Sequence, residues 1–209
     1  GRLCWRITPD YIKDALRFGV PLIPHTIGMT VIAMTDRVLI ANLVSLAEAG
    51  VYTAGYQVGL AIALLQNSFN QTWVPWVYAK LKGEREEDKR AIVRFSYLYF
   101  VAILVPVGVL AIIAPWVLQH FVGSQFSGAT HYVFWIGLGY AFNGMYKTVA
   151  VHIFYQSKTY LLAWVTAVTA LLNVVFVYYG TGINGAIGAA QATASASSFS
   201  SIFTSLLSA

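Results

Sequence analysis

The chain has 209 residues, of which 58% are hydrophobic and 10% charged, with a mean hydropathy of +0.66. These values exclude an ordinary soluble domain and predict an all-α, polytopic membrane protein. The net charge of +5 does not mark a nucleic-acid binder, because the basic residues gather at the ends of apolar runs, where they report topology.

Cys4 is the single cysteine, so no disulfide can form within the chain. No signal-peptide pattern opens the sequence, and its first residue is Gly1, not Met, so it reads as a piece of a longer chain.

In chain order, residues 8–17 predict a short amphipathic interfacial helix, with Thr8 as N-cap and Pro9 at its first position. The first span follows at about 18–41, and from Phe18 to Thr35 it carries no charged residue. Two features are costly in lipid: Pro21 and Pro24 near its start, and Asp36 and Arg37 near its end. A helix with both is expected to border a watery cavity.

The second span, at about 51–78, places Tyr52, Tyr56, Gly59, Ala63, Asn67 and Asn70 along one stripe. Helix packing and a cavity lining both fit that stripe. Trp73, Trp76 and Tyr78 read as an aromatic belt. The charged segment 80–94 is expected to be a cytoplasmic loop, a solvated face without chemistry.

Further spans are predicted at about 95–118, 132–146, 160–179 and 186–207, with an uncharged external loop at 119–130 and a tight turn at 180–185. This topology puts twelve of the thirteen basic residues inside, and both termini with them. Arg37 is the exception.

The runs FGVPLIPHTIG, TDRVLIANLVSLAEAGVYTAGYQVG and FNQTWVPWVYAKL resemble the second half of the bacterial polysaccharide (O-antigen type) flippases. Those proteins belong to the multidrug/oligosaccharidyl-lipid/polysaccharide exporter superfamily. The resemblance covers roughly residues 10–205. It implies a six-helix transmembrane bundle, the C-terminal half of a twelve-helix, V-shaped exporter of the bacterial inner membrane. It implies movement of an undecaprenyl-diphosphate-linked oligosaccharide by alternating access, driven by an ion gradient, with no covalent chemistry. The other half would be an N-terminal six-helix bundle or a homodimer partner.

A diphosphate crossing hydrocarbon needs a hydrated, basic path. Arg37 is the first candidate to line it, with Asn67, Asn70 and Lys147 as further substrate contacts. Asp36 and His25 are candidate ion-coupling groups, and Pro21 and Pro24 a candidate hinge. Plainer roles stand beside each: Asp36 and Arg37 as anchors at the outer interface, Lys147 snorkelling inward, His25 as a buried neutral histidine, and the prolines as a static kink.

Other exporters of the superfamily, for peptidoglycan precursors or drugs, are the near alternatives. Asp36 is the only acid near a span and has a base beside it, which disfavours cationic drugs. A membrane-embedded enzyme acting on lipid-linked sugars is the distant one. It would need a catalytic carboxylate or histidine at a membrane face. The sequence shows no catalytic constellation, metal-ligand spacing or cofactor motif, and no enzyme activity is expected.

Overall fold

A computed structural model of the chain describes residues 12–13, 16–17, 19–20, 22–83 and 85–208. Most of the helix expected over 8–17 lies outside these residues, as does Pro21. Every regular element among the described residues is helical. Three of them are long and apolar enough to cross a membrane: Leu22–Leu43, Glu86–Val122 and Thr159–Leu206.

Helix α1 spans Leu22–Leu43. Helix α2, Leu46–Leu81, starts five residues earlier than the expected span because Ser45 caps it. The Ser45 Oγ accepts from the Glu48 backbone N–H at 3.0 Å, and the Ser-Leu-Ala-Glu spacing is that of a capping box. Its 36 residues extend about 54 Å, well beyond a hydrocarbon core of about 30 Å.

The segment 80–94, expected to be a loop, is mostly helix. α2 runs through Lys80 to Leu81, and helix α3 begins at Glu86 and reaches Ala102. The charges that suggested a loop instead complement helix ends: Glu86, Glu87 and Asp88 fill the first turn of α3, and Lys80 the last turn of α2. An ion pair from Lys80 Nζ to Asp88 Oδ1, 2.7 Å, ties the two ends together.

Helix α4, Leu104–Val117, continues α3 after a break at Ile103. Pro106 accounts for that break, since it cannot donate to the carbonyl of Ala102. A π turn at Leu118–Val122, Gly123 with φ of +122°, and a 3₁₀ segment at Ser124–Ala129 reverse the chain. Helix α5 then spans Thr130–Tyr155. The link expected after residue 146 is therefore shorter: helix persists nine residues longer, and the turn lies at 156–158.

Helix α6, Thr159–Ser208, is two helices joined at Gly185, whose φ of 59° and ψ of −144° suit only glycine. The arms fold back on each other. Asn173 Nδ2 reaches Thr193 Oγ1 at 2.9 Å, and a Cβ added at Gly188 would lie 1.9 Å from the Gly180 carbonyl oxygen. Both arms are long enough for the hairpin expected around 180–185.

α5 is the central element. Small residues let its neighbours approach closely, as membrane helices require. Gly59 of α2 abuts Ile136, Gly137 abuts Val107 of α4, and Gly144 abuts Tyr99 of α3. Ile62, Val107, Val133, Ala141 and Met145 form one buried cluster, and Ile40, Tyr52, Ile136, Val177 and Ala189 another. Trp73, read as part of an aromatic belt, packs into the bundle: it is buried with Val77, Ile92 and Val151, and its indole N–H donates to the Thr148 carbonyl at 3.2 Å. Isoleucines 112 and 183, by contrast, face outward.

Candidate functional site

The interior face of α1 carries the site. Asp36 lies seven residues before the end of α1, about 10 Å from it along the helix axis. It is 2% exposed. A buried carboxylate is tolerated only when its oxygens are hydrogen-bonded, and here both are. The Tyr52 hydroxyl donates to Oδ2 at 2.5 Å, and the Thr193 hydroxyl donates to Oδ1 at 2.7 Å. Asn173 donates to the Thr193 oxygen in turn. Helices α1 and α2 and the second arm of α6 thus meet at one carboxylate, and the first arm joins them through Asn173 and Thr193.

Beside Asp36 lies a cavity of about 120 Å³, lined by Met29, Tyr56, Tyr140, Asn143, Thr193 and Ser197 among others. It has room for several waters and polar groups to hold them. The wall is partly aromatic, with Tyr56 edge-on to Tyr140 at 5.5 Å between ring centroids.

Arg37 turns away from its neighbour. Its guanidinium lies 4.0 Å from the centroid of Tyr56 and donates through Nη1 to the Ala33 carbonyl at 2.9 Å. Among the described residues it has no carboxylate within ion-pair distance. Adjacent residues on a helix point about 100° apart. Asp36 therefore faces the bundle interior while Arg37 spans the seam between α1 and α2. An unpaired guanidinium over a tyrosine face keeps most of its N–H donors available to an anion.

The remaining predicted residues fall elsewhere. Lys147 Nζ donates to Asn67 Oδ1 at 3.0 Å, so two expected substrate contacts do meet. Asn67 is eleven residues beyond Tyr56 on α2, about 16 Å along the helix, and the Lys147–Asn67 pair is separate from Arg37. Asn70 has a buried Oδ1 without a partner. His25 shares the inward face of α1 with Asp36 but contacts Thr166 Oγ1, at 2.5 Å through Nδ1. Pro24 is the third residue of α1, in its first turn, where a missing N–H breaks no helical bond.

Two participants were absent from the sequence-based site. Thr193 is 157 positions from Asp36, and only its place among the buried alanines 190, 192 and 194 sets it apart. Gln66 is buried and donates to Asn143 at 3.3 Å; it lies one residue off the stripe read from the sequence.

Fold and site together define an all-helical membrane protein with a cavity between its helices that a buried carboxylate borders. The family described as polysaccharide biosynthesis protein matches residues 1–131, and the chain belongs to that family. Two Haemophilus influenzae proteins are similar to it. "Lsg locus putative protein 1" is 25% identical over 159 residues, covering 76% of this chain and 39% of that protein. "Uncharacterized membrane protein" is 25% identical over 184 residues, covering 83% and 45%. The chain thus spans less than half the length of these curated relatives. No solved structure matches it.

Proposed function

We propose that this chain is one bundle of a lipid-linked oligosaccharide flippase of the bacterial inner membrane. It carries an undecaprenyl-diphosphate-linked surface-polysaccharide unit by alternating access and is coupled to an ion gradient. The crossings are α1, α2, the α3–α4 run, α5 and the two arms of α6, with both ends of the chain cytoplasmic. Helices α2 and α5 fall short of the apolarity of the others because they carry the cavity's Tyr52, Tyr56, Tyr140 and Asn143 and, away from it, Asn67, Asn70 and Lys147. A second six-helix bundle of the same protein, or a second copy, closes the path.

The observation that carries this reading is the divergence of Asp36 and Arg37. A buried, fully hydrogen-bonded carboxylate beside a cavity suits reversible occupancy by a proton or small cation, and an unpaired guanidinium at the seam suits a diphosphate. Asn67 and Asn70 on α2 and Lys147 on α5 supply further sugar or phosphate contacts. His25 is a second ion-coupling group, and Pro21 with Pro24 lets α1 bend at its start. No covalent bond is made or broken.

The test is glycan export by the full-length natural protein in cells lacking it. Arg37→Ala and Asp36→Asn are expected to insert normally and to abolish surface glycan. Normal surface glycan in both variants would overturn the proposal.

A further inference from the structure

The hydrogen bonds around Asp36 leave several buried polar atoms of α5 and α6 without a partner. Tyr146 Oη, Thr169 Oγ1, Asn173 Oδ1 and Thr204 Oγ1 have none among the described residues, and each of these residues is at most 5% exposed. Where the chain offers a buried oxygen no partner, ordered water takes that place.

Their spacing sets them in one column. Thr166, Thr169 and Asn173 recur at i, i+3 and i+7 on the first arm of α6, and so share a face. Thr193 and Thr204 lie eleven residues apart on the second arm, about 20° from one another around the helix. Eleven residues also separate Asp36 from His25 on α1, about 16 Å along the axis. One end of the column is tied by the bonds from Asn173 to Thr193 and from Thr193 to Asp36. At the other, His25 Nδ1 meets Thr166 Oγ1 at 2.5 Å, and Gly28 lets α1 close on Thr166.

The cavity beside Asp36 already covers part of this length, since it reaches Met29, Asn143 and Ser197. His25 is one turn from Met29 toward the start of α1, and Tyr146 nearly one turn from Asn143 in the same direction. The titratable groups that face the column are His25, Tyr146 and, around Asp36, Tyr52, Tyr56 and Tyr140. α6 adds none: it has no charged residue, and Tyr160, Tyr178 and Tyr179 are exposed. Lys147 is held by Asn67 of α2 instead.

We infer that this column is the path by which protons reach Asp36 from the end of the bundle where α1 begins. The inference rests on the flippase reading, in which that end is cytoplasmic. His25, partly exposed in the first turn of α1, is the mouth. A proton bound by its imidazole passes to water held by the unpartnered oxygens and ends on the Asp36 carboxylate. Between His25 and Asp36 the column offers no carboxylate to a metal cation, whereas hydroxyls and water relay a proton along hydrogen bonds.

The experiment uses the full-length natural protein, its cysteines replaced, in inside-out membrane vesicles. The probe is silver ion, which is thiol-specific and passes where water passes. Added to the cytoplasmic side, it is expected to react at Thr169→Cys and Thr204→Cys at least tenfold faster than at Val165→Cys and Val133→Cys, whose valines are equally buried in apolar clusters. Rates equal to these controls, or reaction from the external side alone, overturn the inference. Protection of positions 169 and 204 by sodium overturns it by making the occupant a metal cation. Thr169→Val with Thr204→Val removes no bond within the chain, so thermal unfolding should be unchanged. Proton uptake by Asp36, read as the carboxylic-acid infrared band that Asp36→Asn lacks, should slow at least fivefold after cytoplasmic acidification and reach the same final height. Uptake at the unaltered rate overturns the inference. Export by the same variants separates the two ideas: export without silver access sinks only the inference, and silver access without export by the parent protein sinks only the flippase reading.

Discussion

The Tyr52 hydroxyl donates to Asp36 Oδ2 at 2.5 Å across the α1–α2 interface, and Tyr52 is itself 1% exposed. Each group is buried because the other is. A hydrogen bond to a charged acceptor contributes about 1.5–3 kcal/mol. Tyr52→Phe should therefore lower unfolding stability in detergent by about that amount, as should Thr193→Val. The double variant should deviate from additivity by at least about 0.5 kcal/mol, since both groups act on one carboxylate. Strict additivity would show that Asp36 is held by something else.

Asp36→Asn and Asp36→Ala should separate structure from function. The amide retains an acceptor for Tyr52 or Thr193, so most of the fold's stability should remain while ion-coupled export is lost. Alanine strands both hydroxyls, at a further cost of about 1–3 kcal/mol for each unsatisfied group. Thermal unfolding of the two variants checks the order, and equal stability would count against the hydrogen-bonded site.

The α6 hairpin depends on backbone contact between its arms. Gly188→Ala puts a Cβ 1.9 Å from the Gly180 carbonyl oxygen, and neither backbone can move without parting the arms. We expect little folded protein from that variant. Gly182→Ala, where nothing lies within 4 Å of the new Cβ, should be neutral or slightly stabilising, by up to about 1 kcal/mol. Expression and size-exclusion profiles distinguish the pair.

Pro24 stands in the first turn of α1, so its replacement adds a donor without disturbing an existing bond. Pro24→Ala should leave folded yield unchanged. If α1 bends there during transport, export should fall severalfold. Full export by this variant would remove Pro24 from the mechanism.

Much of the architecture was legible because apolar runs, helix caps and glycines act locally. The resemblance read from the Pro-Leu-Ile-Pro-His and Asp-Arg segments is borne out by the family match over residues 1–131. Charge was a poorer guide. Glu86, Glu87 and Asp88 look like a solvated loop in one dimension, but acids also favour the first turn of a helix, and that is where they are. Lys147 seemed to end a span, yet helix continues to Tyr155 around it. Trp73 reads as part of an aromatic belt by type and position, and its packing against Ile92 and Val151 was not legible because they come from distant helices. The same holds for the site: Asp36 could be singled out by its cost in lipid, whereas Thr193 and Asn173 become its neighbours only when α6 folds back on itself.

The most direct measurement is translocation itself. The full-length natural protein, reconstituted in proteoliposomes with an imposed ion gradient, should move a fluorescent undecaprenyl-diphosphate oligosaccharide to the opposite leaflet, where an added glycosidase can reach it. The account predicts gradient-dependent accessibility that Arg37→Ala and Asp36→Asn both abolish in correctly inserted protein. Accessibility that is the same with and without the gradient, and unchanged in both variants, would contradict it.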